Sequence, residues 1–179
     1  MRRLIVPLIV VLATGLTATA ALGSSAHFKK GGSPVCTISG GGTASTSTVC
    51  SGILAGLGGG DVAIDTTVSG FAVYQCQNGG GNTAPGQNRV LVGPSTTPTN
   101  ISGNEVKNGN LSFTTNSADL AAASSVSGSA AGCPNSNWTG VNPTLTVTNI
   151  TLKISQSGPL FTCTASNPNG LSGTVALSC

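Results

Sequence analysis

Residues 61–76 read Asp61-Val62-Ala63-Ile64-Asp65-Thr66-Thr67-Val68-Ser69-Gly70-Phe71-Ala72-Val73-Tyr74-Gln75-Cys76. This stretch decides the fold class. Val62, Ile64 and Val68 fall on one face at period two, the spacing of a half-buried strand. After Ser69-Gly70 the phase is expected to flip, so that Phe71 and Val73 take over the inner face. A phase change at glycine is what a β-bulge or a bend between two sheets produces. Residues 144–155 behave alike. Leu145 and Val147 alternate, then the phase shifts at Asn149 to Ile150, Leu152 and Ile154.

Shorter strand patterns extend outward on both sides, at 35–38, 46–54, 89–92, 101–106, 111–115, 124–127, 160–165 and 174–179. Asn108-Gly109 lies between two of them. It is a hairpin signal, because both residues tolerate positive φ. Helix support is poor; its best window, 119–123, is closed by Ser-rich sequence and Gly128. Residues 35–179 are therefore expected to form one all-β domain of about nine or ten strands, a sandwich with Ig-like or Greek-key connections. A jelly roll or barrel is the alternative.

Composition agrees. Only 6% of the 179 residues are charged, against about 25% in an ordinary soluble domain. Gly, Ser, Thr and Asn make up almost half the chain. That excludes coiled coils and helical bundles, and there is one His and four acids for acid–base chemistry. The core must be built from Val, Ile, Leu and Ala, since aromatics are 3% of the chain.

The first 26 residues read as a secretory signal peptide. Arg2 and Arg3 precede an apolar run from Leu4 to Leu16, and small residues allow cleavage after Ala20 or Ala26. Residues 27–34 are then a flexible leader. From His27 onward five basic and four acidic side chains remain, a net charge of +1. The chain is expected to be extracellular, with no membrane span once the signal is removed. Nucleic acid is not an expected partner, because the domain has almost no field to attract it.

All six cysteines follow the signal. An even number in an exported chain reads as a disulfide framework. Loop spacing favours Cys36–Cys50 and Cys163–Cys179 as local staples, which leaves Cys76–Cys133. No C-x-x-C occurs, and no metal or other cofactor is expected.

Few residues suggest chemistry. Asp61 and Asp65, four apart in a strand, would be about 13 Å apart, wider than the ~5–9.5 Å of a glycosidase pair. Gly58-Gly59-Gly60 and Gly79-Gly80-Gly81 lack the Lys-Ser/Thr of a phosphate loop and read as turns. Two polar loops each follow a cysteine. The first holds Gln77, Asn78, Asn82, Gln87 and Asn88; the second holds Asn135, Asn137 and the sole Trp, Trp138. A pairing of Cys76 with Cys133 would start both from one covalent point. Amides beside an aromatic face suit a neutral carbohydrate. The simpler reading is that Trp138 anchors the core while the amides cap turns.

The leading expectation is a secreted, non-enzymatic structural or surface-associated sandwich that acts by assembly or coating. Its partners would be copies of itself or cell-surface and matrix components. The alternative is an extracellular carbohydrate- or small-ligand-binding module that uses the two loops, with a neutral glycan as partner.

Overall fold

The computed structural model describes residues 25–179, so residues 1–24 of the expected signal segment lie outside the described residues. The strands are β1 (His27–Phe28), β2 (Val35–Ser39), β3 (Ser45–Ala55), β4 (Val62–Gln77), β5 (Thr83–Pro85) and β6 (Val90–Ile101), then β7 (Leu111–Thr114), β8 (Ala118–Ala121), β9 (Ser125–Ser127), β10 (Thr139–Ser155), β11 (Pro159–Leu171) and β12 (Gly173–Ala176). A 3-10 turn occupies Gly103–Glu105, and a one-turn helix, α1, spans Gly128–Ala131.

Two antiparallel sheets form a β-sandwich. In the first, β3 is central. β1 and β2 pair along one side of it, β7 and β8 along the other, and β12 adds outside β2. In the second, β4 and β10 lie side by side. β5 and β6 flank β4, and β9 and β11 flank β10. The chain crosses from β3 to β4, forms the β4–β6 pair, and returns in β7 beside β3. This is Greek-key connectivity.

Alternation explains the core. β2 and β3 turn Cys36, Ile38, Thr48, Cys50 and Leu54 inward, while β4 and β10 answer with Val62, Ile64, Val68, Ile150 and Leu152. Each of these is less than 9% exposed. The opposite faces carry Thr, Ser and Asn to solvent. In the second sheet, Thr96, Thr67, Thr151 and Thr164 lie in register across four strands.

The phase of β4 differs from expectation. Its inner face continues on the even residues through Gly70, Ala72, Tyr74 and Cys76. Phe71 is buried too, at 9% exposed, but apart from the core cluster and under the Arg89 guanidinium, 4.2 Å from its ring centroid. The dislocation occurs at the expected level but on the neighbours. Thr148 is an extra residue in β10, and Gly93-Pro94 opposes Ser69 from β6. The shift read in residues 144–155 is present in β10.

The segment 101–106 is not a strand. It closes in the 3-10 turn, with Ser102 Oγ accepting from the Asn104 N–H. The following turn is real, with φ of 51° at Asn108 and 74° at Gly109. Residues 119–123, the best helix window, fall mostly in β8. Within 27–34, β1 pairs with Leu54 and Ala55, and the Phe28 and Phe161 rings lie 4.8 Å apart across the sheets.

Candidate functional site

Three disulfides close the described residues: Cys36–Cys50, Cys76–Cys133 and Cys163–Cys179. Cys36 and Cys50 are directly opposite in β2 and β3. Cys76–Cys133 ties the end of β4 to the residue that follows the α1 C-cap, Gly132. Both polar loops do start from this bond. The first folds back on α1, where the Gln87 and Asn88 N–H groups donate to the Ala131 carbonyl at 3.0 and 3.1 Å. Asn88 Nδ2 also donates to the Ser129 carbonyl.

Several of the amides shape turns. Asn78 Oδ1 accepts from the Gly80 and Asn82 N–H groups at 3.0 and 2.9 Å. Asn135 Oδ1 accepts from the Asn137 N–H at 3.0 Å. These are Asx turns, in which a side-chain carbonyl stands in for a backbone one. Gln77, Asn82, Gln87 and Asn137 are exposed. Trp138 is half-buried and packs against the core.

The concave surface at this end lies beside the loops and has different walls. A cleft of about 640 Å3 is lined by Tyr74, Gln75, Pro85, Gly86, Asn142 and Pro143, with the β2–β3 hairpin closing one side through Gly42 and Ala44. None of the amides named above, nor Trp138, lines it. Its shape comes from a break in β10. Asn142 is an extra residue at φ 50°, so Val141 opposes Gln75 while Thr144 opposes Val73. Asn tolerates this left-handed conformation better than most residues. Its Nδ2 donates to Gln75 Oε1 at 3.1 Å and fixes both amides at the wall. An Asn-Pro pair just ahead of the strand pattern at 144–155 is the sequence signal for such a break.

Tyr74 is 2% exposed. Burial pushes its phenol above the ordinary value of 10.0, and its hydroxyl donates to the Ala123 carbonyl at 2.9 Å. No residue lining the cleft carries a charge. The arrangement offers amide donors and acceptors between proline and valine faces, chemistry that binds neutral polar molecules.

At the opposite end, Gly58-Gly59-Gly60 and Asp61 have protein partners. Gln156 Nε2 donates to the Gly58 and Gly60 carbonyls at 2.9 and 2.7 Å, and Asp61 Oδ1 accepts from the Gly103 N–H at 2.7 Å. Asp65 faces outward opposite Lys153 in β10. His27 Nδ1 lies 2.7 Å from the Ser25 carbonyl. Among the described residues no three His, Cys, Asp or Glu side chains gather as metal ligands, and no helix is long and apolar enough to cross a membrane. Comparison of the chain with protein-family models, with curated proteins and with solved structures finds no match.

Proposed function

We propose that this chain is an extracellular, non-enzymatic binding module that takes a neutral, carbohydrate-like ligand in the Tyr74–Gln75–Asn142–Pro143 cleft. The uncharged lining of that cleft carries the proposal. Its amides sit on strands pinned by Cys76–Cys133 rather than on loose loops, and preorganised groups lose less entropy on binding. Three disulfides support an oxidising, extracellular setting. The Greek-key return of β7 beside β3 supports an Ig-like description of the sandwich.

Calorimetric titration of the oxidised protein with neutral gluco-, xylo- and chito-oligosaccharides tests the proposal. One class should bind with a Kd of about 1 mM or tighter. Asn142→Ala and Gln75→Ala should each weaken it about tenfold, the loss of one well-made hydrogen bond. Binding that survives both substitutions but is lost in Trp138→Ala would move the site to the polar loops. No binding by the wild type would overturn the proposal. Assembly or coating is the second reading. It is supported by Leu91, which is 86% exposed on β6.

A further inference from the structure

A second cleft, of about 300 Å3, lies on the other side of the β2–β3 hairpin. We propose that it binds a small, uncharged, largely apolar molecule carrying one hydrogen-bonding oxygen, such as a phenol. This is a different ligand class and a different wall from the proposed carbohydrate cleft, although Gly42 borders both. Ile38, Leu145, Val147 and Leu171 supply apolar walls, and the lining includes no charged residue. Ile38, Leu145 and Val147 belong to the buried core, at 7%, 1% and 1% exposed. The cleft is thus an opening into the core between the hairpin and the crossover from β11 to β12.

Its volume sits at the small end of the ~300–1,000 Å3 range of ligand pockets, so the occupant is a single-ring compound rather than an oligomer. Gly170 makes the opening possible. It holds φ +114°, and a Cβ there would run into Thr146 Cγ2. At this φ glycine lets the end of β11 lie close against Thr146 of β10.

Thr46 supplies the polar half of the site. It lines the cleft, is 4% exposed, and its Oγ1 has no hydrogen-bond partner. A buried hydroxyl without a partner is unfavourable, and a ligand oxygen within reach relieves that cost. The hydroxyl is itself shielded from solvent, so meeting a ligand oxygen requires it to swing toward the cleft by a χ1 change between staggered positions. Two other buried hydroxyls, those of Thr48 and Thr66, also lack partners, but neither residue lines this cleft.

The test compares p-cresol with toluene by NMR chemical-shift titration of the oxidised full-length domain. Both probes should shift the amides of Ile38, Thr46, Leu145, Val147 and Leu171. The p-cresol complex should be about three- to tenfold tighter, the range of one net hydrogen bond. Thr46→Val keeps the shape and should make the two affinities equal. Leu171→Trp fills the cleft and should abolish both responses while leaving any saccharide response of the first cleft unchanged. Absence of shifts at these residues, or a p-cresol preference that persists in Thr46→Val, overturns the proposal. Failure of saccharide binding alone leaves it standing.

Discussion

Gly70 is buried where the strands around β4 fall out of step. A Cβ at this position would run into the Thr146 carbonyl of β10, and backbone cannot rotate away as a side chain can. Thr148 adds its extra residue just beyond this contact, and Gly93-Pro94 adds one from β6. Gly70 lets β4 run straight while both neighbours bulge around it. Gly70→Ala is therefore expected to cost about 2–4 kcal/mol, the size of an unrelieved core clash. Urea unfolding followed by Trp138 fluorescence measures it. A change under about 0.5 kcal/mol, the level of an ordinary surface substitution, would show that β10 moves freely at this point.

Among the elements, the end of the chain has the clearest mechanical role. Thr164 in β11 exchanges two backbone hydrogen bonds with Ser178, at 2.7 and 2.9 Å, and Cys163–Cys179 fastens the same segment covalently. The outer edge of β11 is thus bridged at Thr164 by a stapled tail. Replacing both cysteines by Ala is expected to cost about 3 kcal/mol on the chain-entropy model for a loop of this length. The Thr164 and Ser178 amides should then exchange with solvent faster than their neighbours in β10, as hydrogen-exchange mass spectrometry would read. Unchanged protection would mean that the backbone bonds hold the tail without the staple. Much at this scale was legible in the sequence. Period-two alternation located β2, β3, β4 and β10, and the three disulfides are the two that loop spacing favoured and the one that was left. What local pattern could not supply was the environment of each face. Phe71 is buried, as its pattern suggests, but it is covered by Arg89, eighteen positions on, rather than by the core. Residues 101–106 look like a strand because Ile101 and Val106 bracket a turn that Ser102 caps. The cleft was hidden for a related reason. Gln75 reads as an ordinary strand residue and Asn142 falls ahead of the strand pattern at 144–155, and only the β10 bulge brings the two amides together.

For the molecule as a whole, the question is what keeps copies apart when so little charge is present. With a net charge of +1 from His27 onward, repulsion between copies is weak, and exposed strand edges invite pairing. Each edge of this sandwich is interrupted by other means. β6 carries Pro94 and Pro98, which have no N–H to offer a new strand. β11 is blocked at Thr164 by the stapled tail. Between β7 and β8, Asn116 turns to β6, with its N–H on Thr99 Oγ1 and its Nδ2 on the Pro98 carbonyl. β12 is four residues long. The oxidised protein is therefore expected to scatter light as a monomer. Combining Pro98→Thr with loss of the Cys163–Cys179 bond should produce association that grows with concentration, because two edges open at once. Oligomers of the wild type would point instead to the sheet faces, where Leu91 stands out from a surface of threonine and serine. Leu91→Ser separates the two cases. It should dissolve a face-to-face contact that buries this side chain, and it leaves the β6 backbone, and hence any edge pairing, as it was.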